Sequence, residues 1–171
     1  MKQGTVRFWL TLAAALALGV LLHFLYTWLP YPIVALFSPV RESIWEHLKI
    51  IFWPMLLSGL FLGGKRGLTP WLFSLLTVCG LMLLLGWLYN VVLQGELDTF
   101  NIILYVVLML IGFYLPRILW PLTEWPGVGA ACAMLTVLLA ALMVVFTFAP
   151  PDNILFADLS GGVRTFLTIP V

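Results

Sequence analysis

The stretch that decides the fold class is residues 128–149, VGAACAMLTVLLAALMVVFTFA, which contains no Asp, Glu, Lys or Arg. About 20 helical residues cover the roughly 30 Å hydrocarbon core of a bilayer, so an uncharged run of this length is typical of a transmembrane helix. Four further apolar runs of similar length lie at about residues 8–29, 43–63, 70–93 and 100–120. The sequence therefore predicts five membrane spans.

The composition of the whole chain agrees with these spans. Of its 171 residues, 63% are hydrophobic and 9% are charged, and the mean hydropathy is +1.13. A soluble domain is about 25% charged. Such high hydrophobicity excludes intrinsic disorder, and a net charge of +1 without a basic stripe excludes a nucleic-acid-binding protein. Because the apolar runs are too long and too uniform for barrel strands, we predict an all-α, polytopic membrane helix bundle forming one domain over residues 1–171.

Proline, serine and glycine residues predict where the first two helices begin and end. Pro30 is expected to end the first span. Ser38 and Pro39 form a typical helix start, with the serine as N-cap and the proline at the first helical position. Gly63 is expected to end this second helix, which Pro54 would kink near its middle.

The distribution of Lys and Arg predicts the orientation, because cytoplasmic loops of membrane proteins carry an excess of positive charge. If the five spans alternate in direction, the N-terminal side carries five basic residues and the opposite side carries three. We therefore expect the N-terminus inside and the C-terminal tail, residues 150–171, at the outer interface or folded back into the mouth of the bundle. The five basic residues are Lys2, Arg7, Lys65, Arg66 and Arg117, and the three are Arg41, Lys49 and Arg164.

The start of the second span carries an unusual number of polar residues. At about 100° per residue, Glu42, Glu46 and Lys49 share one helix face, with Ser43 and His47 beside them. Because a charge facing lipid is costly, this face should point toward protein or a water-filled cavity. The pattern predicts an outward-facing polar pocket.

Other polar residues are expected on the same side of the membrane. His23 shares a face of the first span with Ala15, Gly19 and Tyr26, and small residues mark helix contacts in membranes, so His23 should point into the bundle. His23, Glu46 and His47 could bind a divalent metal ion, since His and carboxylate side chains are common ligands. The candidate ligand-binding residues are His23, Tyr26, Glu42, Ser43, Glu46, His47, Lys49 and Asp158.

Several of these residues fall in a distinctive pattern: H-F-x-Y from His23, S-P-V-x-E-S-x-W-E-H-L-K from Ser38, and P-P-x-x-x-L-F-x-D from Pro150. The pattern resembles a family of small, uncharacterised bacterial integral membrane proteins, known as a domain of unknown function. Arg41 and Leu159 depart from the residues expected there, Asn and Pro. The resemblance implies a multi-pass protein of the bacterial inner membrane, and it implies no mechanism.

The pocket favours the binding or transport of a cation or small polar solute. Such a small protein would act in the lipid bilayer as a homo-oligomer or with a partner membrane subunit, and Ala15-x-x-x-Gly19 offers a contact surface.

Three alternatives stay open. The polar motif could only lock helices together in a structural or assembly subunit. It could form a metal-dependent, membrane-embedded hydrolase, although the H-E-x-x-H and G-x-S-x-G motifs are absent from the sequence. A haem between His23 and His47 has no support beyond the two histidines.

Overall fold

The computed structural model describes residues 2–95, 97–123 and 125–159, and the description below refers to these residues. Every regular element in these ranges is helical. The α-helices are α1 (Lys2–Trp28), α2 (Pro32–Ala35), α3 (Leu48–Leu62), α4 (Gly64–Trp87), α5 (Asp98–Thr123) and α6 (Val128–Phe148). A π-helical turn at Leu88–Val92 follows α4, and a 3₁₀ turn at Ile154–Phe156 follows α6. The predicted all-helical class is confirmed.

Four helical segments are long and apolar enough to cross a membrane: Gly4–Trp28, Gly67–Val92, Thr99–Pro121 and Val128–Phe148. They correspond to the first, third, fourth and fifth predicted spans. The second predicted span contains α3, which has 15 residues and is about 22 Å long at 1.5 Å per residue. The fold is thus a membrane-type bundle of four long apolar helices and one shorter one.

The bundle is built around α4, which packs against α3, α5 and α6, while α1 packs against α3 and α5. The interior contains fully buried side chains such as Phe52, Met109 and Phe113. Of the α6 span 17% is buried, against 44% of the α4 span, so α6 is the more peripheral helix. Its outer face carries exposed Leu135, Val137 and other apolar residues, which suit contact with lipid acyl chains.

Helix α1 approaches its neighbours closely at Gly19. A Cβ atom at this position would lie 2.1 Å from the Tyr105 hydroxyl and 2.7 Å from the Ile50 carbonyl oxygen. Only glycine therefore allows α1 to approach α3 and α5 this closely. The Tyr105 hydroxyl adds a hydrogen bond to the Leu16 carbonyl, at 3.0 Å.

The predicted start of the second helix at Ser38 and Pro39 is wrong, because α3 begins at Leu48 and the preceding residues form turns. The Ser38 hydroxyl does not cap a helix. It donates to the Leu22 carbonyl of α1 and accepts from the Tyr26 N–H, so it fastens this segment to α1. Ser and Thr hydroxyls that bond to backbone groups elsewhere offer the chain an alternative to helix.

The described part of the C-terminal tail folds back against the turns that precede α3. The Trp45 N–H donates to the Leu155 carbonyl at 3.0 Å, and the Leu159 N–H donates to the Glu42 carbonyl at 2.9 Å. The Phe156 ring is buried 5.2 Å from the ring of Trp45. The remainder of the predicted tail, residues 160–171, lies outside the described residues.

Candidate functional site

The turns between α2 and α3 bring three side chains together, which we call the histidine cluster: His23 from α1, and Glu42 and His47 from the turns. Each offers one ligand atom, and these atoms all lie within 4.8 Å of one another. The two imidazole rings have centroids 5.4 Å apart. The cluster is open on one side, because 48% of the Glu42 side chain is exposed.

The orientation of the His47 ring is fixed by the backbone. Its Nδ1 lies 2.7 Å from the Ser43 carbonyl oxygen, which can only accept a hydrogen bond, so Nδ1 carries the proton. Its Nε2 then faces the Glu42 carboxylate at 3.2 Å. A histidine whose second nitrogen donates to a backbone carbonyl is the usual arrangement of a metal ligand.

His23 completes the cluster from the side of α1. Its Nε2 lies 3.9 Å from the second carboxylate oxygen of Glu42, beyond hydrogen-bond distance. Its Nδ1 is buried and has no hydrogen-bond partner among the described residues. Neither ring nitrogen of His23 therefore has a hydrogen-bond partner among the described residues, whereas buried polar groups with a purely structural role usually have one.

The electrostatics of the cluster favour a positive charge between Glu42 and the histidines. With Nδ1 of His47 protonated, a neutral ring presents the lone pair of Nε2 to the Glu42 carboxylate, which is repulsive. Burial alone would lower the pKa of His47, but the hydrogen bond and the charge of Glu42 raise it above its usual value. The hydrogen bond from His47 in turn lowers the pKa of Glu42, against the effect of burial. Either a proton on His47 or a metal cation satisfies this arrangement.

Glu46, which we predicted as the carboxylate ligand of the two histidines, lies in a second polar cluster. Its Oε2 is 2.6 Å from the Lys49 ammonium and accepts the Val40 N–H at 2.9 Å. Its Oε1 accepts from the Thr147 hydroxyl of α6 at 3.3 Å. The geometry therefore brings Glu42, rather than Glu46, to the histidines, because residues 44–47 form a turn instead of a regular helix face.

Lys49 completes this second cluster, which we call the buried lock: Glu46, Lys49 and Thr147. The ammonium also donates to the carbonyls of Ala35, at 2.7 Å, and Ser38, at 3.3 Å. The side chains of Lys49 and Glu46 are 0% and 2% exposed. With three acceptors for three N–H groups, the lock fastens α2 and the turns to α3 and α6.

The remaining predicted residues, Ser43, Tyr26 and Asp158, are members of neither cluster. Ser43 links them, since its carbonyl holds His47 and its hydroxyl accepts the Glu46 N–H at 3.2 Å. Tyr26 contributes its backbone N–H to Ser38. Asp158 precedes Leu159, whose N–H donates to the Glu42 carbonyl.

Sequence reasoning missed Thr147 and the carbonyls that bind Lys49. The threonine looks like an ordinary polar residue near the end of a span. The carbonyls belong to apolar or small residues whose identity gives no sign of their role, so only the path of the backbone reveals them.

Comparison with known proteins gives one match. The model of the Family of unknown function (DUF6512) covers residues 2–164, and no curated protein and no solved structure matches the chain. The expectation of an uncharacterised family is confirmed, and the chain belongs to the family of unknown function DUF6512.

Proposed function

We propose that this membrane protein binds a divalent transition-metal ion at the histidine cluster, as the cation-binding step of an uptake or transport function. The observation that carries the proposal is the convergence of His23, Glu42 and His47 ligand atoms within 4.8 Å. The hydrogen bond from His47 to the Ser43 carbonyl supports it, because it directs the other ring nitrogen into the cluster.

The donor atoms favour zinc or a similar first-row metal. Two imidazole nitrogens and one carboxylate suit Zn²⁺, whereas Mg²⁺ and Ca²⁺ prefer sites made of oxygen ligands. Ligand bonds of about 2 Å place two ligands about 3–4 Å apart. The ligand atoms of the cluster lie within 4.8 Å of one another, so metal binding requires the side chains to move together by about an ångström.

Three protein ligands leave a fourth position of a tetrahedral zinc ion for water or a solute. Because the Glu42 side chain is half exposed, an ion can reach and leave the cluster from solvent. This accessibility suits reversible binding of a cation better than a closed structural metal site.

Titration calorimetry on the purified, chelator-treated protein in detergent tests the proposal with ZnCl₂ as the probe. We expect one zinc ion per chain, and an affinity at least tenfold weaker in His23→Ala, Glu42→Gln and His47→Ala. Asp152→Asn is the matched control for loss of a carboxylate, because Asp152 is exposed and lies outside the cluster. Equal zinc affinity in the wild type and all three cluster variants would refute the proposal.

Folding of each variant is checked separately. Thermal unfolding in the presence of chelator should be close to that of the wild type for Glu42→Gln, because this side chain is half exposed. Loss of zinc binding in a folded Glu42→Gln protein then reports on the ligand and not on the fold.

A further inference from the structure

A long apolar groove lies between α1 and α3, at the end of the bundle opposite to the histidine cluster. It has a volume of about 700 Å³, within the range of about 300–1,000 Å³ that is usual for small-molecule sites. Arg7 and Phe61 line one end, and Leu18 and Pro54 line the part nearer the middle of the bundle. A smaller groove of about 370 Å³ continues beyond Leu18.

The wall of the groove offers a ligand almost no polar group. Its two hydroxyls are used within their own helices, because Thr11 donates to the Arg7 carbonyl and Ser58 donates to the Pro54 carbonyl. The remaining polar function is the Arg7 guanidinium, which lies 4.2 Å from the centre of the Phe61 ring and donates to the Phe61 carbonyl. A guanidinium has five N–H donors, so this bond leaves donors for an anion.

The dimensions of the groove match one leaflet of a bilayer. Arg7 and Leu18 are eleven positions apart, which is a rise of about 16 Å along α1. Half of the hydrocarbon core of a bilayer is about 15 Å thick. An acyl chain that starts at Arg7 would therefore end near Leu18, at the middle of the membrane.

We propose that this groove binds one anionic phospholipid, with its phosphate on Arg7 and an acyl chain along α1 and α3. Basic residues between transmembrane helices are a usual site for anionic headgroups. A second protein helix fits less well, because an α-helix is about 10 Å across and α1 and α3 already touch at Gly19 and Ile50. Arg7 lies about 24 Å from His23 along α1, so the proposed phosphate position is remote from the metal site.

Native mass spectrometry of the protein in detergent tests the proposal, with palmitoyl-oleoyl phosphatidylglycerol and the matching phosphatidylcholine as probes. We expect one phosphatidylglycerol to stay bound and phosphatidylcholine to be retained at least fivefold less. Arg7→Gln should lower phosphatidylglycerol retention at least fivefold, and Ala14→Phe, which fills the groove, should do the same.

Two control variants match these changes. Arg117→Gln removes another exposed arginine that stacks on aromatic rings, and Ala13→Phe enlarges the exposed neighbour of Ala14 outside the groove. Both should retain the lipid, and Arg7→Gln should still bind zinc. Equal lipid retention in all variants would overturn the proposal, as would a dimer that Ala14→Phe dissociates while lipid retention is unchanged.

Discussion

The histidine cluster and the buried lock lie side by side, each contains one glutamate, and Ser43 forms a hydrogen bond to both. In the lock, the Glu46 carboxylate and the Lys49 ammonium are buried, both carboxylate oxygens have a protein partner, and the ammonium has three acceptors. In the histidine cluster, Glu42 is half exposed and the buried Nδ1 of His23 has no partner among the described residues. The first arrangement suits structure, and the second leaves room for a ligand.

This difference teaches how to assign polar residues in a membrane bundle. A charge in a low-dielectric interior is tolerated when it is paired and its hydrogen bonds are satisfied, and such a pair needs no external ligand. Imidazole nitrogens and carboxylate oxygens that face one another repel when there is no proton between them. Such a group becomes favourable only when a proton or a metal cation binds between its members. The two glutamates are of the same residue type, and their hydrogen-bond partners assign Glu46 to a structural pair and Glu42 to the candidate site.

The largest effect should follow from breaking the lock. Lys49→Met leaves the Glu46 carboxylate buried without its cation, which costs about 3–5 kcal/mol of the free energy of unfolding. Denaturant or thermal unfolding in detergent measures this loss. The double variant Glu46→Gln, Lys49→Met should recover part of it, and a loss below about 1 kcal/mol for Lys49→Met would show that the pair is not a lock.

The next prediction separates the clusters by two readouts. His47→Ala should weaken zinc binding at least tenfold, about 1.4 kcal/mol, with a smaller change in the stability of the metal-free protein. Glu46→Gln should lower stability and leave the zinc affinity of the folded fraction within about threefold, because Glu46 lies in the lock. If Glu46→Gln abolishes zinc binding in folded protein, our assignment of the carboxylate ligand is wrong.

A smaller loss is expected at the contact between the lock and α6. Thr147→Val keeps the shape of the side chain and removes the hydroxyl that Glu46 accepts from at 3.3 Å. The Thr147 hydroxyl has one proton, and the Met143 carbonyl also accepts from it. The loss of this hydroxyl should therefore cost about as much as one hydrogen bond, about 1 kcal/mol of unfolding free energy. Thr136→Val, whose buried hydroxyl bonds to the Cys132 carbonyl, is the matched control and should cost less.

The smallest effect is the pH dependence of the metal-free histidine cluster. The raised pKa of His47 gives stability that is present below its ordinary value of 6.5 and is lost as pH rises through the folded value. The lowered pKa of Glu42 gives stability that is present above 4.5 and is lost as pH falls through the folded value.

The stability difference between wild type and Glu42→Gln in chelator should therefore be largest between pH 4.5 and 6.5. Because Glu42 is half exposed, solvent screens the pair and the difference should stay below about 1 kcal/mol. A difference that grows steadily up to pH 9 would contradict the assignment of the pair.

The sequence predicts the helices well because the length of an apolar run is a local property. The run at 128–149 and the helix Val128–Phe148 almost coincide, and the predicted end at Gly63 falls between α3 and α4. The start of α3 was predicted wrongly because the Ser38 hydroxyl bonds to α1, a tertiary contact that no local pattern contains.

The candidate site could be predicted only in part for the same reason. Helical spacing predicted Glu42 and Glu46 on one face, whereas the turn at 44–47 places them in different clusters. The proximity of His23 and His47 depends on the path of the chain through α2, which carries residues 32–35 back beside α1. The residue types were enough to predict which residues belong to the site, but the path of the backbone determines which of them contact one another.

The most direct test of the central claim is X-ray absorption spectroscopy at the zinc edge, on protein loaded with one equivalent of ZnCl₂. We predict two imidazole nitrogens at about 2.0–2.1 Å together with oxygen ligands, and loss of one imidazole in His23→Ala. A spectrum without histidine scattering, or one that stays the same as the wild-type spectrum in both His23→Ala and His47→Ala, would contradict the assignment of the histidine cluster as a metal site.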